Sequence, residues 1–393
     1  MTSTSDIHTL LEEIASKGAS LDEPDHIYAR RELLAAARSL CYKLETPVES
    51  LLRICWAEAQ THPAIRTGVE MNLFEKLADD GGAVNSNGQL ASMTNSDTVL
   101  LSRILKHLAA ARVIQEVDAD TYAPTALSNA LIEPKYRDAF PTVNDVAGPP
   151  LRQLHKYLAS TGFKNPTNPT DGPFRRIWPQ HTSPHLCLDE RHPLIHQQFG
   201  NFMAGYQQGR PSWLDFFPAE DQLVKGLRED DDAVLLVDVG GGMGQDLEED
   251  QEEPVERAKA GLAEKGIKAM AHDFFTPQPI KGDYSDSSSP KAYYPSIDIH
   301  ASGGRASYLH SVLHDWPDAK CKEILSSLRP ALTKGYSKLL INEVAIPNRG
   351  APAVSTGLDL LLMAVFSSGQ RTEKQWQELL ERVGFRLVRV WGV

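Results

Sequence analysis

Val234-Leu235-Leu236-Val237-Asp238-Val239-Gly240-Gly241-Gly242-Met243-Gly244 begins as an apolar run and breaks into glycines. A continuous apolar run of this length is the pattern of a strand buried on both faces. Glycines directly after it place a turn whose backbone can approach a nucleotide-like ligand. A dinucleotide fingerprint has glycines at the first, third and sixth positions of its turn. Counted from Gly240, the sixth position is Gln245, so that reading fails.

Downstream the pattern alternates between strand and helix. Strands are expected over Val234–Val239, Leu339–Glu343 and Phe385–Val390, and helices over Lys320–Leu332, Gly357–Phe366 and Thr372–Val383. Alternation of this kind implies a mainly parallel sheet covered by helices, whose ligands sit at the carboxyl ends of the strands. The glycine turn lies at one such end. A second chemical signal is Leu313-His314-Asp315-Trp316-Pro317-Asp318, at the end of a strand expected over residues 307–313. A histidine at the mouth of a parallel sheet can exchange a proton near neutral pH. A lone His–Asp pair is more often a solvated loop, but here it shares the sheet mouth with the glycine turn and with Asn342-Glu343.

Upstream, apolar residues recur at helical spacing in Ile7, Leu10, Leu11 and Ile14, in Leu33, Leu34, Ala37 and Leu40, and in Leu51, Leu52 and Ile54. Ser96-Asp97-Thr98 reads as a cap ahead of another helix, followed by short strands near 113–116 and 121–124. Helices followed by a small hairpin make a winged-helix-like module. Its recognition helix carries Arg103, Lys106 and His107 without a wider basic patch, and the net charge is −12. That balance argues against a nucleic-acid binder, whose affinity rests on neutralising phosphates. Residues 140–190 are rich in Pro, Asn, Thr and Gly and read as loop. His181, His185, His192 and His196 lie there, but Pro184 and Pro193 break any single ligand face, so no metal site is expected. Cys41, Cys55, Cys187 and Cys321 have no metal spacing and read as reduced thiols. No apolar run reaches the roughly 20 residues that cross a bilayer; the chain reads as soluble and cytoplasmic.

Several stretches together make the resemblance specific. They are Pro211–Phe217, Val237–Gly242, His272–Pro279, Leu313–Asp318, Gly335–Glu343 and Arg371-Thr372-Glu373. In this order the chain resembles the fungal relatives of the plant-type, metal-independent O-methyltransferases. Asp238-x-Gly240-x-Gly242-x-Gly244 fits the loop that such enzymes use for S-adenosylmethionine (SAM). The resemblance implies an α/β fold, a Rossmann-like class I methyltransferase sheet at the C-terminal end. An N-terminal helical winged-helix-like dimerisation domain would precede it. The expected division is 1–135 for dimerisation, 136–225 for linker helices and loops that contribute to the substrate pocket, and 226–393 for the SAM-binding domain.

The resemblance also distributes roles. His314 would be the general base that deprotonates an acceptor hydroxyl, flanked by Glu343 and by Gln370, where many relatives carry Glu. Asp238, Gly240, Gly241, Gly242 and Gly244 would form the cofactor turn, with Asp273 and Phe274 at the adenine and His310 beside the cofactor. Met203, Asp359, Met363 and Phe366 would line the acceptor pocket, the apolar ones being equally readable as helix-face core. The expected activity is methyl transfer to a hydroxyl of an aromatic or polyketide-like secondary metabolite by a homodimer. Two alternatives stay open: a methyltransferase-like pericyclase, and a catalytically degenerate homologue that only dimerises.

Two departures from the family pattern fall near the cofactor. After Leu247 the chain enters the charge run Glu248–Glu253, where relatives place a helix and a second strand, a loss of about 20 residues. Around 283–302 an insertion of about the same size reads as an exposed loop. The loss predicts an interior gap in the sheet, with ladder groups unpaired and no apolar strand in the charge run to fill it.

Overall fold

The computed structural model describes residues 4–22, 26–179, 192–207, 212–229, 234–240, 268–271, 274–278, 295–298 and 304–392. They form two compact units, Met1–Glu133 and Pro134–Val393.

In the first unit the Thr4–Ala19 and His26–Leu44 helices pack on each other. The Thr98–Ala110 helix starts where the cap predicts, with Asp97 Oδ1 accepting the Leu100 N–H at 2.8 Å. Its Leu101, Leu105 and Leu108 recur at i, i+4 and i+7 and are fully buried. Strands β2 (Gln115–Asp118) and β3 (Thr121–Ala123) form the expected antiparallel hairpin. A third strand, β1 (Asn85–Ser86), pairs with β3 through Asn85 opposite Tyr122. Two residues carry no periodicity, so nothing in the residue pattern announces it.

The second unit corrects the loop expected over residues 140–190. Its first part is helical: Ala139–Pro141, the π-helical turn Thr142–Ala147, and Gly148–Ser160. Pro149 and Pro150 fall in the first turn of the last helix, where a missing N–H leaves no bond unmade. Residues 161–168 do remain loop. His181 and His185 lie outside the described residues; His192 and His196 stand at the start of the Pro193–Gln207 helix.

The central sheet has five strands: β4 (Leu236–Asp238), β5 (Lys268–Ala271), β6 (Pro295–Asp298), β7 (Ala306–His310) and β8 (Lys338–Asn342), in the order β5-β6-β4-β7-β8. Strands β4, β7 and β8 are parallel. The expected gap is closed. Strand β6 comes from the insertion read as exposed loop, and it pairs antiparallel with both β4 and β5. Neighbouring strands lie about 4.8 Å apart, so β4 and β5 are held one full strand apart, and β6 satisfies the ladder groups of both. The charge run 248–253 lies outside the described residues.

Covering helices Asp318–Leu328, Ala353–Phe366 and Glu373–Arg382 form close to where periodicity places them. Leu309, Leu313, Ile324, Leu325 and Leu379 are sealed between sheet and helices. Each such side chain contributes roughly 1.5–3 kcal/mol of burial. The strand expected over Phe385–Val390 does not form. Phe385 and Leu387 lean on the core while Val388 is exposed, so the alternation is real but no ladder partner meets it among the described residues. No helix among the described residues is long and apolar enough to cross a membrane.

Candidate active site

Parallel β4, β7 and β8 end at one edge, and β5, two antiparallel steps from β4, ends there too. After β7 the backbone breaks sharply. Ser311 takes φ 54°, a left-handed conformation uncommon for a residue with a Cβ, and donates its N–H to the Asn342 carbonyl at 3.1 Å. A 3-10 turn, Leu313–Asp315, follows and delivers His314 to the sheet edge.

Glu343, just past β8, lies 2.8 Å from this imidazole through Oε2 to Nδ1. Its other oxygen accepts the Leu313 and His314 backbone N–H groups at 2.9 and 3.2 Å. The carboxylate is 2% exposed and the imidazole 12%. On the far side Nε2 sits 3.5 Å from Asp315 Oδ1. Burial by itself disfavours the imidazolium, but the charges of Glu343 and Asp315 outweigh it and hold His314 up at about 9. Burial pushes the Asp315 carboxyl up to about 6, against the pull of the imidazole.

Gln370 is buried, with its Nε2 3.5 Å from His314 Nδ1. Its backbone N–H donates to Asp359 Oδ1 at 2.7 Å, so this oxygen of the predicted acceptor residue braces the Gln370 segment. Gly369 closes onto the same carboxylate. Phe366 is buried in a cluster with Ala147, Phe174, Leu362 and Val365, the helix-face placement weighed for it. Met363 is part-buried on the same helix, which packs on the His314 turn. Met203 is part-buried on the Pro193–Gln207 helix, which packs against Pro134–Arg137.

On the cofactor side, Asp238 is fully buried at the end of β4. Gly240 follows with φ 81°, and a Cβ there would meet Val312 Cγ2 at 2.8 Å. Only glycine satisfies both the left-handed backbone and this approach. Phe274 follows β5 and packs among Phe275 and Trp316, ring centroids 5.1 and 5.9 Å away, 5% exposed. His310 ends β7 with its ring 6.1 Å from that of Tyr308. Gly241, Gly242, Gly244 and Asp273 lie outside the described residues. The described part, Gly240 with its left-handed backbone and an aromatic residue after β5, fits a nucleoside placed against β4 and β5.

An O-methyltransferase domain model matches residues 299–386. Methyltransferase cfoC of Aspergillus candidus is 34% identical, with 98% of this chain and 93% of cfoC covered. O-methyltransferase mpaG of Penicillium brevicompactum is 31% identical over 98% of this chain and 95% of its own. The chain belongs to the O-methyltransferase family. Two solved structures share its fold: LepI in complex with SAM (25% identity, TM-score 0.79, 99% and 95% covered) and a pericyclic reaction enzyme (26%, 0.77, 99% and 96%). Membership makes this chain a SAM-dependent O-methyltransferase of secondary metabolism.

Two residues of the site escaped the reading of the sequence. Asp315 was visible only as a neighbour of His314, and its contact with Nε2 depends on the 3-10 turn. Arg371 stands in the sequence only as part of the Arg371-Thr372-Glu373 stretch. Its three-dimensional partners were beyond reach of spacing.

Proposed function

We propose that this chain methylates a hydroxyl of an aromatic or polyketide-like metabolite, with His314 as general base. The 2.8 Å contact between Glu343 Oε2 and His314 Nδ1 carries the reading. It fixes the ring so that Nε2 is the nitrogen left to take the acceptor proton. Gly240 with Gly241, Gly242 and Gly244 would hold SAM, which would supply an electrophilic methyl when bound; Asp273 and Phe274 would serve its adenine and His310 would lie beside it. A phenol has a pKa near ~10, so a base held up at about 9 is closely matched to it, although little of it is neutral at pH 7. Aligning acceptor and methyl group supplies the larger share of the rate, and Met203, Met363 and Asp359 are assigned to the walls that do so. Titrating the protein with S-adenosylhomocysteine in a calorimeter, then supplying SAM and a panel of phenolic polyketides, tests this. Absence of binding heat at millimolar ligand, or turnover unaffected by His314→Ala, refutes it.

The elevated His314 also favours a second reading. A cationic imidazole polarises a carbonyl rather than accepting a proton, and that would accelerate a pericyclic rearrangement of a substrate with a conjugated carbonyl. Product of unchanged mass from a candidate substrate would select it.

The chain is read as three parts: 1–135, a winged-helix-like dimerisation module; 136–225, linker helices and loops; 226–393, the SAM-binding domain. Leu51, Ile54 and Trp56, in the adjoining helical segments Pro47–Leu52 and Arg53–Glu58 of the first unit, are 58%, 55% and 69% exposed, apolar side chains available to a second copy. Light scattering that returns a monomer mass would overturn the homodimer.

A further inference from the structure

We propose that Arg371 is a positioning residue for His314, acting by holding the carbonyl ends of the turn that carries it. The turn is gripped from both sides. At its amino end Glu343 Oε1 accepts the Leu313 and His314 N–H groups. At its carboxyl side the guanidinium donates Nη1 to the Leu313 carbonyl and Nη2 to the Trp316 carbonyl, both at 2.9 Å. The anion satisfies amides that a single turn leaves open. The cation adds a charged donor to carbonyls that are already in use, since Leu313 O also accepts the Trp316 N–H at 3.3 Å and the Cys321 thiol at 3.2 Å, and Trp316 O the same thiol at 3.2 Å.

The guanidinium is itself fixed. Arg371 is 5% exposed, Nε donates to Asp318 Oδ1 at 3.0 Å, Nη2 lies 3.3 Å from Cys321 Sγ, and Trp376 stacks 5.0 Å from its Cζ. Its own carbonyl accepts the Ile346 N–H at 3.0 Å, which ties it to the segment that follows Glu343. One residue therefore links the His314 turn, the Glu343 strand end and the adjoining Gln370. A planar fork reaching two carbonyls at once is a task for arginine; a lysine ammonium has no such geometry.

Arg371 touches no reacting atom, so its loss should lower kcat and spare ligand binding. The inference rests on His314 being the reacting group, and the test separates the two. In Arg371→Lys, kcat should fall about tenfold to a hundredfold while the Kd for S-adenosylhomocysteine stays within about twofold, the scale of a displaced catalytic group. In Arg371→Ala, free guanidinium at millimolar concentration should restore part of kcat, and ammonium should not. Independently of turnover, the imidazole 15N resonances of His314 should show one titrating environment in the wild type and an altered titration in both variants. Wild-type kcat in Arg371→Lys with an unchanged imidazole titration overturns the proposal. So does a parallel loss of S-adenosylhomocysteine binding and kcat that guanidinium fails to reverse. If the resonances respond as stated but no acceptor is ever turned over, the positioning role stands and the methyl-transfer reading falls. Should Arg371→Ala fail to fold, Arg371→Lys carries the resonance test alone.

Discussion

Glu343 holds His314 by side chain and backbone together: Oε2 is 2.8 Å from Nδ1 while Oε1 accepts the His314 N–H at 3.2 Å. Orientation and charge thus come from one carboxylate. Glu343→Gln keeps an acceptor for one of these bonds and removes the charge that raises the imidazole. His314 should then titrate at lower pH, and kcat should fall about 10–100-fold through loss of orientation. An NMR titration with steady-state rates checks both; an unmoved His314 titration would falsify the assignment of the elevated value to Glu343.

The pH profile separates the two chemistries. A raised histidine is protonated below its folded value, so at pH 7 about 1% of His314 held at about 9 is neutral. A general base requires that neutral fraction, and kcat/KM should rise about tenfold per unit up to pH 9 and then level. A cationic catalyst gives the opposite limb, flat below 9 and falling above. The stability linkage has the same sign. The charged pair stabilises the fold fully below the unfolded value near 6.5, and the contribution is lost as pH rises through about 9. Rates measured from pH 6 to 10, with thermal melts at the same points, decide it.

Asp315→Asn supplies a sharper arm. Removing this charge from beside Nε2 leaves burial less opposed, so His314 should titrate lower and the rising limb should move toward neutrality. For a base mechanism the rate at pH 7 holds or increases, which is unusual for removing a part-buried carboxylate from a site. A fall at pH 7 with an unmoved limb would place Asp315 on the acceptor instead.

The sheet shows what the sequence could and could not disclose. Strands β4, β7 and β8 were legible because each is an apolar run next to a chemical signal, the glycine turn, His314 and Glu343. Strand β6 was not, because Pro295-Ser296-Ile297-Asp298 has no period and lies inside an insertion. Its strand character comes from the two open ladders it fills, a demand set by the sheet and not by its own residues. The same division holds in the site. His314, Glu343 and Gln370 were legible by motif, whereas the Arg371 clasp and the Asp359 brace depend on segments that meet only after folding.

That account makes β6 testable. Ile297 pairs with Asp238 on one side and Ala269 on the other. Ile297→Pro deletes a donor in the middle of a central strand, a position from which proline is excluded. A stranded ladder carbonyl costs about 1–3 kcal/mol, and Tm should fall by several degrees. An unchanged melting curve would mean that β4 and β5 do not rely on the inserted strand.

Gly240 offers the most local test of the cofactor turn, because two separable forces act on one atom. Gly240→Ala must adopt φ near 81°, which costs an L residue roughly 1–2 kcal/mol, and must also push against Val312 Cγ2 at 2.8 Å. The double variant Gly240→Ala/Val312→Ala removes the clash and keeps the backbone strain. If the turn is shaped mainly by the close approach, the double variant should recover most of the S-adenosylhomocysteine affinity lost in the single one. If the left-handed backbone dominates, it should recover little, and the cavity left at Val312 should lower Tm further. Calorimetry on the two variants and on Val312→Ala alone completes the cycle, and a Gly240→Ala protein that binds and melts like the wild type would remove Gly240 from the cofactor site.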